Sequence, residues 1–482
     1  MKRLTCSGVV VIVMLAAVAV SGVHIRAQHE TSATPTFNQD VAPILFNNCV
    51  TCHSPGQVAP MSLLSYKEAR PWARAIKRKV AAREMPPWFA DPRFGVFRNG
   101  HNLSQAQIDT IIAWVDQGAP EGTGAPPAPP SLAEGGWSHP SGRPPDLVIE
   151  MAVKIDIPAQ GQIPWFDTVQ PWPFHEDKFI EAVQVLPGNV PVVHHMGAHW
   201  RRLRPGTKIG TGPAWPGGPI VNNIQVNDDG TQIERTARPG ADQGVQDGDE
   251  QGSLAIYVPP KGINLFRPGV GKRIPGDSVL HWTHHYTMTG RPENDRSRIG
   301  LWFQQVPMNV ETITSSRSRG GSVIIQGQEV AERILRSDCG TGPCLPPIPP
   351  NEANYAATVI TAFKDDVTIH LMWPHMHLRG KDMAYLLTYP DGREEVLLNV
   401  PHYNFNWQIF YELAEPKKIP AGSTLKVIGH FDNSVKNREN PTPDKEVYWS
   451  EQSWDEMFTG FYEVSIDKRD RQLKTPVTAL NR

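Results

Sequence analysis

Gly122–Val153 reads GTGAPPAPPSLAEGGWSHPSGRPPDLVIEMAV, and two kinds of chain meet within it. Up to Pro145 the segment is rich in Pro, Gly and Ala and has no apolar period, which predicts a semi-extended linker over 123–145. After Asp146 the sequence turns to short apolar or alternating runs separated by Gly, Pro, Asn and Asp, the pattern of strands in sandwiches or barrels. Leu147–Val153, Phe179–Val185, Val192–Trp200, Ser278–Met288 and Ile299–Gln304 form one such series. Thr358–Phe363, Val367–Met372, Ala384–Thr388, Leu425–Gly429 and Phe458–Val464 form another. A division near residue 306 therefore predicts two all-β sandwich domains, 146–305 and 306–482.

Before the linker, residues 37–122 carry helical punctuation. Ser104 with Gln107 makes a capping box, followed by Ile108, Ile111, Ile112 and Val115 on one face and by Gly118 and Pro120 as stops. An earlier helix is predicted from about Pro71, with Trp72, Ile76 and Val80 inward and Arg74, Lys77, Arg78, Lys79 and Arg83 outward. Such a basic face is ordinarily solvated; docking of an acidic redox partner is the functional alternative. The fold class expected is thus multidomain: a small all-α domain followed by two all-β, jelly-roll-like domains.

With 46 Pro among 482 residues, long helices are disfavoured. The net charge of −2 offers no global field toward nucleic acid or an anionic membrane. At the N-terminus, Lys2 and Arg3 precede an apolar run from Gly8 to Val23 and small residues ending at Ala27, which predicts a secretory signal over 1–27 and a periplasmic or secreted bacterial protein. The run falls short of the roughly 20 residues of a spanning helix, so a membrane association follows only if the signal stays uncleaved. In an exported chain, Cys339 and Cys344 read as a small disulfide stapling a loop.

Cys49-Val-Thr-Cys52-His53 is the attachment pattern of c-type haem: two thiols bond covalently to one porphyrin and the adjacent imidazole ligates its iron. A redox dithiol or half a zinc site is the weaker reading, since no second C-x-x-C follows. For the other axial ligand, Met85 is favoured over Met61, which lies too near His53 in the chain to reach the opposite haem face. Segment 37–122 resembles small c-type cytochrome domains fused to bacterial enzymes.

The histidines cluster in three strand-like segments: His194-His195-Met196, His281-Trp-Thr-His284-His285-Tyr286 and His375-Met376-His377. Strand alternation puts His375 and His377 on one face, about 6.5–7 Å apart, where both can converge on one metal. His194 and His195 can share a metal only where their strand ends or bends. Imidazole suits copper, zinc, iron and nickel, and an added thioether would select copper.

The segments PVVHHMGAHW, HWTHHYTMTG, PHMHLRGKDM and SWDEMFTGFYEV, in this order, resemble the ascorbate-dependent type II copper monooxygenases, the family of dopamine β-monooxygenase and peptidylglycine α-hydroxylating monooxygenase, over about residues 146–470. That resemblance implies two consecutive β-sandwiches, each with one copper, facing each other across a solvent-filled cleft. The first copper would take His194, His195 and His285, with His284 as a substitute for the third. The second would take His375, His377 and Met457, bind O2 and carry the catalysis. His281, His402 and His430 would be structural. Trp373, Thr459 and Phe461 stand where the peptidylglycine enzymes hold a peptide carboxylate, which points to a small apolar or aromatic substrate.

Joined together, these readings give a haem- and copper-dependent monooxygenase that hydroxylates a C–H bond with O2. A periplasmic donor would supply electrons through haem c to two copper ions, with ascorbate as another reductant, and the linker would leave the cytochrome free to swing. The rivals are a periplasmic electron-transfer or copper-handling protein without substrate chemistry, and a zinc-stabilised binding module.

Overall fold

The computed structural model describes residues 34–55, 57–129, 136–161, 163, 166–202, 250–258, 262–315, 322–330, 345–449 and 453–467. The expected signal over 1–27 and the Cys339–Cys344 pairing lie outside these residues.

Four short α-helices come first: α1 (Ala42–Asn48), α2 (Tyr66–Ala69), α3 (Ala73–Ala81) and α4 (Gln105–Asp116). They enclose a core of their own that includes Phe37, Leu45, Ile76, Ile108, Ile111 and Trp114. The capping box forms as spaced: Ser104 Oγ accepts from Gln107 N at 3.2 Å, and Gln107 Oε1 accepts from Ser104 N at 2.8 Å. Three inward positions differ from expectation. Trp72 is 43% exposed, because a tight 3-10 turn over Arg70–Trp72 precedes α3 and winds it out of phase with Ile76 and Val80. On α4, Trp114 is fully buried while Ile112 and Val115 only flank the core, since the indole fills the space beneath Phe37 and its Nε1 donates to Pro120 O at 2.9 Å. The basic positions on α3 find local partners: Lys77 pairs with Asp116 and Lys79 with Glu84.

The remainder is predominantly β. In chain order the strands are β1 (Leu147–Glu150), β2 (Ile155–Ile157), β3 (Phe166–Pro171), β4 (Lys178–Leu186), β5 (Val193–Arg202), β6 (Glu250–Tyr257), β7 (Asn264–Leu265), β8 (Val270–Ile274), β9 (Val279–Tyr286), β10 (Glu293–Asp295) and β11 (Arg298–Phe303). They continue with β12 (Val310–Ser315), β13 (Ser322–Ile325), β14 (Gln328–Val330), β15 (Tyr355–Ala362), β16 (Val367–Met376), β17 (Gly380–Thr388), β18 (Glu394–Val400), β19 (Tyr411–Ile419), β20 (Thr424–Phe431) and β21 (Phe458–Asp467).

Two sandwich cores result. In the first, β4 and β11 send Ile180, Val183 and Leu301 inward against Met196, Leu280 and Trp282 of the sheet β3-β9-β5-β6. In the second, Tyr385, Leu387 and Val427 of the sheet β14-β13-β15-β20-β17-β18 meet Ile369, Tyr411 and Tyr462. One sheet serves both cores, in the order β1-β11-β4-β8-β12-β21-β16-β19. β12 makes the join, pairing parallel with β8 and antiparallel with β21.

The helical module touches the β region directly as well as joining it through the linker. Residues 86–99 run as a strap onto the second sandwich, burying Trp88 against Tyr411 with ring centroids 4.9 Å apart. Backbone bonds fix the strap at both ends, from Asp91 N to Asn399 O at 2.8 Å and from Arg98 N to Glu412 O at 2.9 Å. Asn99 closes it by donating to Phe410 O and accepting from Glu412 N. The end of the linker is also pinned, with Trp137 edge-on to Trp302 and Ser138 donating to Gln184 on the first sandwich. The apolar Trp88-Phe89-Ala90 run after the two prolines is what finds the β core.

Candidate metal centres

The first centre arises from an irregularity in β5. Its ladder with β9 runs from Val193↔Tyr286 to His195↔His285, so His194 is an extra residue without a cross-strand partner. A bulge bends the strand and re-aims a side chain. That bend lets neighbours in sequence share a face: the His194 and His195 rings lie 5.1 Å apart, and His285 lies 5.0 and 4.5 Å from them. One ring nitrogen of each falls within 4.8 Å of the others, a group that could hold a metal ion. His285 Nδ1 faces His195 Nε2 at 2.8 Å, and the buried His194 Nδ1 has no hydrogen-bond partner among the described residues. A metal ion would supply the missing partner of a buried ring nitrogen beside two converging imidazoles.

His284 takes no part in this group. It is fully buried on the core face, with Nε2 2.8 Å from Thr168 Oγ1 and its ring stacked on Tyr286.

His375 and His377 form the second group, ring centroids 5.3 Å apart. Gln408 Oε1 accepts from His375 Nδ1 at 2.6 Å, and the Gln408 amide nitrogen donates to Phe405 O, which sets the amide's orientation. The Asp455 carbonyl accepts from His377 Nδ1 at 3.2 Å. Both imidazoles are thereby held in the tautomer that presents Nε2 as the atom for ligation. Glu456, fully buried, accepts from the backbone N–H groups of His377 and Arg379 and so ties the residues just before Met457 to the histidine strand. Met457 follows directly beyond the Met376↔Phe458 pair that ends the β16–β21 ladder.

The two groups meet. His195 and His375 have ring centroids 6.3 Å apart, Phe405 packs on His194 at 5.0 Å and His377 at 5.8 Å, and Ser453 Oγ lies 3.1 Å from His285 Nε2. Where the sequence resemblance implies an open cleft, the described residues place ring contacts between the two sandwiches beside the histidines. Trp373 is stacked between Phe410 at 4.6 Å and Phe461 at 4.5 Å, and these rings pack against Val258 and Ile256 of the first sandwich. A small cavity borders this stack, with Leu371, Lys272 and Glu463 on its wall.

Burial sets the protonation of the cluster. It lowers His194 and His375 to about 4, and lowers His195 and His285 well below the ordinary imidazole value, neighbouring imidazoles adding to the effect. All four are neutral at pH 7, the form that binds metal. Burial also raises Glu456 to about 7, against the pull of its backbone donors and Arg379.

In the helical module, Cys49 and Cys52 are half-buried, and burial raises their thiols to about 12 and about 11. His53 Nδ1 lies 3.3 Å from Met61 O, which leaves Nε2 as the available ligand atom and puts the Met61 backbone on the Nδ1 side of the ring. Met85 is half-buried, its N–H bonded to Lys79 O. Of the remaining histidines, His430 Nδ1 lies 2.6 Å from Asp382, and His402 is exposed. Phe405, Gln408 and Ser453 escaped the sequence reading. Each comes from a loop, where no period signals what a side chain will touch.

No protein-family model matches the chain, and no curated protein matches it. Among solved structures it is similar to PNGF-II, at 9% identity over 66% of this chain and 59% of that one, with a TM-score of 0.22. It is also similar to a Paenibacillus xanthan lyase, at 8% identity and a TM-score of 0.16, over 71% of this chain but only 27% of the lyase, and to an allantoicase, at 9% identity and a TM-score of 0.15, over 58% and 79%. Likenesses this slight carry no argument about function.

Proposed function

We propose that the chain is an exported copper-dependent monooxygenase, with the helical module as a c-type cytochrome that feeds it electrons. The observation that carries this reading is the convergence of two distinct imidazole sets, His194–His195–His285 and His375–His377, with His195 and His375 only 6.3 Å apart. Donor chemistry supports copper: imidazole nitrogens and no thiolate in either set, with the thioether-bearing Met457 next in the chain to the Met376↔Phe458 pair that ends the ladder before His377. Copper held there would supply one-electron transfer and O2 activation, and haem c would be held by Cys49, Cys52 and His53, with Met85 as a further ligand, and would supply the electrons.

The overall reaction consumes O2, two electrons, two protons and a substrate C–H group, and yields the alcohol and water. The chain's own part is to hold geometry and exclude water. Gln408 and the Asp455 carbonyl fix the tautomers of His375 and His377, Ser453 bonds across to His285, and Phe405 covers three of the rings. Trp373, Phe410 and Phe461, beside His375, favour a small apolar or aromatic substrate over a charged one. A periplasmic or secreted location and a periplasmic electron donor, or ascorbate in its place, complete the proposal.

The test is O2 uptake by the metallated, haem-loaded full chain, supplied with a chemical reductant and a panel of small aromatic and aliphatic substrates. Substrate-dependent uptake that disappears in His375→Ala is expected. Uptake that no substrate alters would reject the oxygenase and favour electron transfer or copper handling.

A further inference from the structure

One face of the shared sheet carries a buried polar pair beside an aromatic wall. Across β12, β21 and β16, Thr314 sits opposite Glu463, Glu463 opposite Leu371, and Phe461 opposite Trp373. Strand alternation sends these five side chains to the face turned away from the second core, to which Met372, Tyr462 and Val464 belong. β8 pairs with β12 only at Val270↔Val310 and Gly271↔Glu311. The next residue, Lys272, lines a cavity of about 300 Å3, its open mouth included, together with Glu463, Trp373, Phe410, Phe461 and, from β6 of the first sandwich, Ile256. That volume is at the lower end for ligand pockets.

The Lys272 and Glu463 side chains are only 6% and 10% exposed, yet stand 3.6 Å apart, beyond the about 2.7–2.9 Å of a charge-assisted hydrogen bond. Lys272 Nζ donates to Ser253 O at 2.8 Å and to Thr314 Oγ1 at 3.1 Å, which leaves one of its three donors for Glu463 or a ligand. On the aromatic wall, Trp373 Nε1 is buried and has no hydrogen-bond partner among the described residues. A buried N–H of that kind calls for an acceptor. Both faces of the same indole are already covered by Phe410 and Phe461, so the cavity meets a rigid stack.

We propose that this cavity binds a small neutral molecule with an apolar, ring-sized body and one hydroxyl group. A hydroxyl accepts and donates at once, so it bridges the ammonium and the carboxylate, which a hydrocarbon cannot do. The two charges oppose each other, so an anion meets Glu463 and a cation meets Lys272. The binding claim stands by itself. That the ligand is also the substrate rests on the proposed function, since Trp373 and Phe461 lie 5.8 and 6.1 Å from His375.

Benzyl alcohol serves as the probe, titrated calorimetrically into the metallated full chain without O2. One saturable site is expected, with toluene, benzoate and benzylamine each weaker by about tenfold or more, the usual worth of a hydrogen bond to a charged group. Lys272→Met with Glu463→Leu replaces the pair by apolar side chains of similar size, a change that buried ion pairs commonly tolerate. In that double variant toluene should bind as well as benzyl alcohol. A crystal soaked with para-bromobenzyl alcohol gives a reading free of any variant, the anomalous bromine signal being expected beside Ile256, Phe410 and Phe461. No saturable binding, the same preference for the alcohol in the double variant, tighter binding of benzoate or benzylamine, or bromine located elsewhere would overturn the proposal. Binding as expected without any substrate-dependent O2 uptake would count only against the proposed function, and uptake without binding here only against this site.

Discussion

Replacing Trp88 with Ala should unfasten the helical module from the second sandwich. The side chain is 9% exposed and packs on Tyr411 and Phe97. Some 200 Å² of aromatic surface at about 25 cal/mol per Å² corresponds to about 4–5 kcal/mol, and truncation of buried Phe or Trp typically costs 3–5 kcal/mol. In a sandwich of this size each kcal/mol lowers Tm by roughly 2–4 °C, so a fall of about 8–20 °C is expected for the transition that melts the second core. Differential scanning calorimetry would read it, with limited proteolysis over residues 86–99 as a second measure of undocking. A fall of less than about 2 °C, with the strap still protected, would refute the claim that this segment belongs to the β core.

Gln408→Leu removes the acceptor that holds His375 in its tautomer, and copper affinity of the His375–His377 set should drop about 10–100-fold in a chelator competition, with the fold unchanged. His285→Ala should abolish one equivalent of bound metal by elemental analysis, whereas His284→Gln should leave the count unchanged. Burial holds His284 at about 3 when folded against about 6.5 unfolded, so the unfolded chain binds the extra proton. Stability is therefore lost as pH falls below about 6.5 toward 3, by about 2 kcal/mol at pH 5 from this residue alone, and His284→Gln should flatten a urea-denaturation profile between pH 7 and 5 by that amount. Gly197→Ala would drive a methyl into Thr283 and His199, and a loss of about 1–3 kcal/mol is expected in the same assay.

Local signals carried far in this chain. The capping box at Ser104, the strand runs from Leu147 onward and the shared face of His375 and His377 follow from periods of 3.6 and 2 that backbone geometry imposes on neighbours. Strands without such a signal were harder to see. Tyr411–Ile419 carries Glu415, Pro416 and two lysines, yet it pairs with β16 across an irregularity that accommodates them. Trp72 shows the complementary failure, since a change from 3-10 to α winding shifts the phase of a face with no change in residue type.

Residue identity determined by itself that a helical segment would be followed by β segments, and that imidazoles would recur at strand spacing. Only tertiary structure decided that a bulge at His194 turns adjacent rings to one side, that Phe405, Gln408 and Ser453 complete the surroundings, and that the two histidine sets approach to 6.3 Å. The reason is physical: periodicity is a property of a few consecutive residues, whereas a meeting of strands remote in sequence depends on register and on the packing of two cores.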